Sequence, residues 1–203
     1  MYCPVAYQVQ EVEELHHFLR VHPLGLLVSV TGEAAEANLI PFYLDADQGM
    51  LRGHLSKANG QRALAGQVLV VFQGPQAYVT PSWYASKQHH GKVVPTWNYS
   101  MVQVRGSARV VDDPEWLRRH VSELTDFFEQ TQGQPWAVAD APEAYLQGQL
   151  KGIVGVEISM DSLQGKWKMS QNRSAEDRAG VAAGLRAQGR EDAALLVEGR
   201  HHV

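Results

Sequence analysis

The chain has 203 residues, of which 44% are hydrophobic and 20% charged, and its formal net charge is −4 at pH 7. This composition indicates a globular protein with a substantial core, and it excludes one that holds nucleic acid through a general excess of positive charge. The single cysteine, Cys3, excludes an intrachain disulfide, and no apolar run approaches the roughly 20 residues of a membrane span, so we expect a cytoplasmic protein.

One short helix and an antiparallel meander are predicted for the first third of the chain. Residues Val12–Val21 place apolar side chains at helical spacing, and Pro23 ends that pattern. Apolar, β-branched runs separated by turn sequences then predict strands. The predicted strands cover residues 24–30, 35–44, 50–55 and 68–72, with a short helix or turn at 56–65. We expect Pro41 to mark a sheet edge or a bulge.

The middle and the end of the chain continue the β pattern. Gly74 and Pro75 are expected to end the strand at 68–72. The remaining predicted strands cover residues 77–80, 96–111 and 153–160, with a strand or loop at 164–170. Short strands in this number, separated by turns, indicate a closed or split antiparallel barrel.

Helices are predicted in two further places. Asp113 followed by Pro114 is a typical helix start, with a side-chain cap and a proline in the first turn. That helix reaches about residue 131, and a second one covers 142–150. Ser174 is expected to cap a helix to about residue 186, followed by one or two turns at 191–197. We therefore expect one domain, residues 1–203, with a helical insertion at about 113–150 and a C-terminal helix at about 174–198.

The stretch from residue 76 to 106 is dense in groups that stack or donate hydrogen bonds. The aromatic members are Tyr78, Trp83, Tyr84, Trp97 and Tyr99, and the polar ones are Thr80, Ser82, Thr96, Asn98, Ser100 and Gln103. Two interpretations stay open on the pattern alone: a wall that faces a flat ligand, and a dimer interface. One surface can serve both purposes.

Two shorter segments concentrate polar and basic residues. GHLSKAN offers His54, Ser56, Lys57 and Asn59 where a strand ends, which suits either a surface turn or a phosphate site at a helix start. GKWKMSQNR offers Lys168, Ser170 and Gln171, which suit either a polar strand edge or donors to an anionic or planar ligand. The pairs His89-His90 and His201-His202 lack a second ligand pair at zinc-site spacing, so we expect no metal site.

Four segments in the same order resemble the PaiB family of FMN-binding negative transcriptional regulators. They are MYCPVAY, GHLSKAN, the pair YVTPSWY and VPTWNY, and GKWKMSQNR. The resemblance implies a mainly β fold with flanking helices (α+β), namely an antiparallel split β-barrel of the pyridoxamine-phosphate-oxidase-like kind that ends in a C-terminal helix. It also implies a homodimer with FMN bound between subunits.

The resemblance, together with the donor chemistry, selects thirteen candidate FMN-binding residues: His54, Ser56, Lys57, Asn59, Thr80, Ser82, Trp97, Asn98, Tyr99, Gln103, Lys168, Ser170 and Gln171. Lys57 is expected to contact the FMN phosphate, with His54 beside it. Arg62 is the rival cation, and Lys168 is the next candidate.

The leading functional hypothesis is an FMN-binding regulator whose repression of transcription can be indirect. Direct DNA binding has no support from the charge of the chain or from a recognisable recognition helix. The alternative class is an FMN-dependent oxidoreductase or a haem-degrading split-barrel enzyme, because a flavin supplies the chemistry and the protein only positions it.

Overall fold

The structure, a computed structural model, describes residues 1–200. These residues form two compact units. Unit 1 contains Met1–Phe18, Gln73–Val102 and the described part of Gln164–Val203, and unit 2 contains Leu19–Phe72 and Gln103–Leu163. Each unit is built from segments that are distant in the sequence.

Residues 1–200 contain nine strands and six α-helices. The strands are β1 Gln8–Val9, β2 Leu24–Thr31, β3 Ala34–Pro41, β4 Tyr43–Asp45, β5 Met50–Ser56, β6 Gly66–Val79, β7 Thr96–Val111, β8 Ile153–Ser159 and β9 Ser162–Lys168. The helices are α1 Val12–Val21, α2 Ser86–His90, α3 Pro114–Glu129, α4 Glu143–Leu150, α5 Ala175–Ala187 and α6 Glu191–Val197. Single 3₁₀ turns lie at Val5–Tyr7, Gly60–Ala63, Pro81–Trp83 and Val138–Asp140.

Unit 2 contains an antiparallel barrel. Its strands follow the order β3-β2-β6-β7-β8-β5-β4. The barrel closes where β3 lies beside β5, because a β-carbon placed on Gly53 would meet Ile40 at 3.1 Å and Phe42 at 3.2 Å. Alternate residues of each strand fill the interior, including Leu27, Leu51, Val70, Val104, Val156 and Ile158. The predicted split-barrel fold is confirmed.

Helix α3 covers part of the outside of this barrel. Asp113 accepts hydrogen bonds from the Glu115 and Trp116 backbone amides, both at 2.8 Å, so the predicted helix start is confirmed. Trp116 and Leu117 then pack with α4 and the neighbouring 3₁₀ turn in a cluster that includes Val138, Leu146 and Leu150. The buried side of α3 therefore reaches both the barrel and α4.

Unit 1 contains β1, most of β9 and the first part of β7, with β9 paired to both other strands, together with helices α5 and α6. Phe18 and Trp167 pack with ring centroids 4.6 Å apart. The backbone and indole of Trp83 lie directly against α5. A β-carbon on Gly180 or Gly184 would come within 2.0 Å or 2.3 Å of Trp83, so only glycine fits at these contacts.

Two predicted boundaries were wrong, each for a physical reason. Gly74 and Pro75 do not end a strand, because β6 continues through them to Val79. Gly74 instead permits a close approach, since a β-carbon there would lie 2.6 Å from Phe18 and from the Ser100 hydroxyl. The strand predicted at 35–44 is divided into β3 and β4, because the Phe42 amide leaves the ladder and donates to the Pro23 carbonyl at 2.8 Å.

Candidate functional site

The GHLSKAN segment ends β5 in unit 2 and continues into a turn. The short helix predicted for residues 56–65 is only a 3₁₀ turn, Gly60–Ala63. Asn59 caps this turn by accepting from the Gln61 amide at 2.8 Å, and the Ser56 hydroxyl accepts from the Ala58 amide at 3.1 Å. The helix N-terminus that was predicted to bind phosphate is therefore absent from this segment.

The backbone amides of this turn are already engaged. Lys57 N donates to the Gly152 carbonyl at 2.8 Å, and Asn59 N donates to the Ser56 carbonyl at 2.9 Å. Arg62 N donates to the Asn59 carbonyl at 3.1 Å. Any anion bound here has to be held mainly by side chains.

The cation of the segment has an acidic neighbour. Lys57 Nζ lies 2.9 Å from Asp112 Oδ1, and both side chains are well exposed. The rival cation, Arg62, donates to the Lys57 carbonyl at 2.5 Å. An exposed ion pair of this kind contributes roughly 0–1 kcal/mol, so it leaves Lys57 available to a more highly charged partner.

His54 contacts a second histidine that no sequence motif indicated. His54 Nδ1 lies 3.2 Å from Nε2 of His120, which is fully buried on α3. Burial lowers the pKa of His54, and burial together with the charges of His54 and Arg52 lowers the pKa of His120 to about 3. Both rings are neutral at pH 7. The helical spacing of His120 with Trp116 was the signal available in the sequence.

Charged side chains surround this pair on the outside of β5 and β8. Trp116 stacks on His120 at 5.0 Å and donates from Nε1 to Glu157 at 2.8 Å. Glu157 also pairs with Arg109, and Arg52 pairs with Asp45 at 3.1 Å and with Glu123 at 2.6 Å. These groups border a cavity of about 490 Å³. The acidic side chains that border the cavity thus form ion pairs with arginines.

In unit 1 the structure joins the β7 and β9 residues that were predicted to bind the cofactor. Lys168 Nζ donates to the Thr96 hydroxyl and to the Trp97 carbonyl. Asn98 and Ser170 are buried and share two hydrogen-bond contacts, at 3.0 and 3.1 Å. Ser170 has φ +64°, a left-handed conformation that a non-glycine residue adopts at some cost.

Three cations lie close together at this end of β9. Lys166 is only 8% exposed, and its ammonium donates to the Tyr2 carbonyl at 3.1 Å and lies 5.2 Å from the centre of the Tyr99 ring. Burial lowers the pKa of Lys168, and the charges of Lys166 and Arg173 lower it further. Within residues 1–200, none of the three cations forms an ion pair with a carboxylate. This donor set suits an anionic ligand.

Gln171 has a different role from the one its position in the motif indicated. Its side-chain oxygen accepts from the Met169 amide at 2.7 Å, and its nitrogen donates to the Trp167 carbonyl. Both polar atoms of the side chain are thus engaged in the turn that follows β9. Gln103 lies on the unit 2 part of β7, and its Oε1 is buried without a hydrogen-bond partner among the described residues. Gln103 thus contributes a buried acceptor that the described part of the chain leaves unsatisfied.

The aromatic residues of the predicted wall separate into two sets. Trp83 packs against α5, and Tyr84 is buried beneath Arg173, whose guanidinium lies 4.5 Å from the ring centre. Tyr78 and Trp97 are exposed, at 47% and 55%, and meet edge-on at 6.0 Å. Thr80 caps the 3₁₀ turn by accepting from the Ser82 amide at 3.3 Å, and the Ser82 side chain is exposed. Only part of the wall is free to meet a ligand.

A second apolar surface lies on the outside of β2 and β3 in unit 2. Cross-strand pairs there are Leu26 with Leu39, Val28 with Ala37 and Val30 with Ala35. Leu24, Val30 and Leu39 are each more than half exposed. A contiguous exposed apolar face is typical of an interaction surface.

Residues 1–200 contain no group of three or more metal-binding side chains close enough to share an ion. His89 and His90 are exposed on α2. The predicted pair His201-His202 lies outside the described residues.

The strand order defines the class of protein: an antiparallel split β-barrel with flanking helices. Similar folds occur in an FAD and heme binding protein from Mycobacterium smegmatis and in the flavocytochrome Anf3 from Azotobacter vinelandii. The first has a TM-score of 0.63 and 17% identity over 88% of this chain and 80% of that chain. The second has a TM-score of 0.60 and 12% identity over 85% and 75%.

Closer relatives define the family. Residues 1–162 match the family described as "Putative FMN-binding domain". The protease synthase and sporulation protein PAI 2 of Bacillus subtilis is 30% identical over 203 residues, covering 98% of this chain and 95% of the relative. An uncharacterized protein of Emericella nidulans is 34% identical over 226 residues, covering 91% and 90%. The chain therefore belongs to this FMN-binding family, which is the PaiB family, and the resemblance of its motifs is confirmed.

The helices within residues 1–200 include none that is both long and apolar enough to cross a bilayer.

Proposed function

We propose that the protein binds FMN and acts as a flavin-dependent regulatory protein. The observation that carries the proposal is the family match across residues 1–162, which contain the GHLSKAN, YVTPSWY and VPTWNY motifs. FMN supplies one- and two-electron redox chemistry, and the protein supplies binding, orientation and electrostatics. The donor chemistry of the candidate residues fits a ligand that combines a phosphate with a flat ring.

Lys57 is the proposed contact of the FMN phosphate, with His54, Ser56 and Asn59 as neighbouring donors. A charge-assisted contact to phosphate contributes about 1.5–3 kcal/mol, which exceeds the contribution of an exposed ion pair. A phosphate dianion can thus displace Asp112 from Lys57. The rival is Lys168, whose partly buried ammonium lies beside two other cations.

The first test is optical. Freshly purified protein is expected to absorb near 450 nm, roughly where oxidised flavins absorb, either as isolated or after FMN is added and excess is removed. Protein that neither contains nor takes up flavin would end the proposal. Oxidation of a reduced nicotinamide by the loaded protein would favour the oxidoreductase alternative.

The second test identifies the cation by FMN titration followed through flavin fluorescence. Lys57→Ala is expected to weaken FMN binding by roughly ten- to a hundredfold, and Lys57→Gln by nearly as much, because charge rather than length matters. Arg62→Ala is the matched control and should have a smaller effect, with circular dichroism confirming that each variant folds. Unchanged binding in Lys57→Ala with a loss in Lys168→Ala would transfer the phosphate contact to Lys168.

The regulatory part of the proposal draws on the name of the Bacillus subtilis relative, which refers to protease synthesis and sporulation. We propose that regulation does not depend on tight, unaided binding of duplex DNA, because the net charge is −4 and phosphate contacts need a basic surface. Mobility-shift titrations at rising salt test this point. Tight operator binding that weakens steeply with salt would restore direct repression.

We extend the proposal to a cytoplasmic homodimer that meets through the apolar outer face of β2 and β3. Two copies related by a two-fold axis would each cover the other's exposed Leu24, Val30 and Leu39. Sedimentation at micromolar concentration is expected to show a dimer for the parent, a monomer for Leu39→Lys, and a dimer for the control Tyr145→Lys, which alters an exposed residue of α4. A monomeric parent would rule out the dimer.

A further inference from the structure

The contact between His54 and His120 leaves only two arrangements of protons. The two ring nitrogens are 3.2 Å apart, so one must donate and the other must accept. Both rings are neutral at pH 7, because burial lowers the pKa of each. A neutral imidazole carries one N–H, so the direction of this hydrogen bond fixes the tautomer of both histidines.

The buried end of His120 decides the direction. His120 Nδ1 is buried and has no hydrogen-bond partner among residues 1–200. Trp116 covers a face of the same ring at 5.0 Å, and its own N–H is directed to Glu157. If Nδ1 carried the proton, an N–H would be buried without an acceptor. Among backbone groups, buried N–H donors without a partner are rarer than under-satisfied carbonyl acceptors, and we apply the same preference to the imidazole. The proton of His120 is therefore on Nε2, and it is donated to His54 Nδ1.

The same hydrogen bond fixes the protonation of the second ring nitrogen of His54, Nε2. Since His54 Nδ1 accepts, the single proton of the neutral ring lies on Nε2. Within residues 1–200 the only hydrogen bond of His54 is the one at Nδ1, and Nε2 is not one of the fully buried atoms that lack a partner. His54 thus presents an uncharged N–H donor beside Ser56 and Lys57.

We propose that His120 is a positioning residue that holds His54 as the Nε2–H tautomer, so that His54 donates a hydrogen bond to an acceptor oxygen of a bound anion. The identity of this anion as the FMN phosphate rests on the proposed function. The tautomer itself does not, and it can be measured on the protein without flavin.

The decisive measurement is long-range ¹H–¹⁵N correlation spectroscopy on protein labelled with ¹⁵N-histidine, at pH 7 and without FMN. The chain has nine histidines, and the spectra of His54→Gln and His120→Gln assign the two signals of interest. Both residues are expected to show a protonated Nε2 and an unprotonated Nδ1. A protonated Nδ1 on either ring, or fast exchange between tautomers, would overturn the assignment.

The second arm tests the positioning role through FMN affinity. His120→Phe removes the donor to His54 and is expected to weaken FMN binding about three- to tenfold, together with tautomer exchange at His54. His120→Gln retains an amide N–H and should restore binding to within about twofold of the parent. His89→Gln alters an exposed histidine and serves as the control.

The two arms separate the possible failures. If the parent binds no FMN, the proposed function fails, while the spectra still decide the tautomer. If the tautomer is as expected but His120→Phe binds FMN as tightly as the parent, the positioning role is wrong.

Discussion

Lys57 and Lys168 lie in polar segments of similar composition, yet their electrostatic surroundings differ. Lys57 is exposed and paired with Asp112 at 2.9 Å. Lys168 is partly buried, and its neighbours include the cations Lys166 and Arg173, which lower its pKa. The presence of a lysine in a motif therefore does not reveal whether its charge is already balanced. The balance depends on acidic residues that are distant in the sequence.

Two asparagines show the same contrast in energetic terms: Asn59 of the Lys57 segment, and Asn98 of β7, whose partner Ser170 belongs to the Lys168 segment. Asn59 caps an open 3₁₀ turn, whereas Asn98 is fully buried and bonded twice to Ser170. A polar group without a protein partner lowers the free energy of unfolding only slightly at the surface, where water binds it, and strongly in the interior. Substitutions in the two segments should therefore differ in their effect on stability and on FMN binding.

The largest effect concerns acid stability in the neighbourhood of GHLSKAN. The folded-state pKa of His120 is lowered to about 3, below the value of roughly 6.5 for an unfolded chain. The unfolded state therefore binds the proton more readily, and the stability that this histidine contributes is present above pH 6.5 and lost as the pH falls towards 3. The slope should approach about 1.4 kcal/mol per pH unit within this window.

Urea unfolding at several pH values measures that slope. His120→Phe is expected to be less stable at pH 7 but to show a shallower dependence on pH, because one titrating group is removed. Carboxylates that lose their ion pairs in acid contribute equally to both proteins and cancel in the difference. Equal slopes for the parent and His120→Phe would show that His120 titrates normally.

The next effect compares the two asparagines. Asn98→Ala should lower the free energy of unfolding by about 1–3 kcal/mol, because it leaves the buried Ser170 hydroxyl without a partner. Asn59→Ala should cost about 1 kcal/mol or less, as the loss of a cap does. Chemical denaturation of the two variants in parallel provides the measurement, and a larger loss in Asn59→Ala would contradict the comparison.

A smaller effect tests the left-handed backbone at Ser170. Ser170→Ala and Ser170→Gly both lose the hydroxyl, but glycine accepts φ +64° without strain, so the alanine variant should be less stable by about 1 kcal/mol. Ser56 is the matched control. Among residues 1–200 it is not one of the positions with positive φ, so there the glycine variant should be the less stable one. If the alanine variant were the less stable one at both positions, the backbone of Ser170 would not be strained.

The smallest expected effect concerns the ion pair between Lys57 and Asp112. Asp112→Asn releases the lysine from its ion pair, which is worth at most about 1 kcal/mol, and should therefore tighten FMN binding by up to about fivefold. Glu176→Gln, which neutralises an exposed acid of unit 1, is the control. Weaker binding in Asp112→Asn would indicate that Asp112 itself contacts the ligand or orders the site.

Local patterns in the sequence determined the elements and the family. The bounds of α1 and β7, the cap at Asp113 and the helix after Ser174 follow from periodicity and capping residues, which act within a few positions of the chain. Four ordered motifs were enough to indicate the family, and with it the split barrel.

Tertiary structure alone decided which polar groups remain available to a ligand. Asp112 reaches Lys57 across 55 positions, and His120 reaches His54 across 66. Gln171 is engaged by the backbone around it, while Gln103 keeps a buried oxygen without a partner among the described residues. Pairings of this kind depend on the register of β5 and on the placement of α3 against it. Periodicity and local motifs do not encode these distances, because they arise only when segments far apart in the chain pack together.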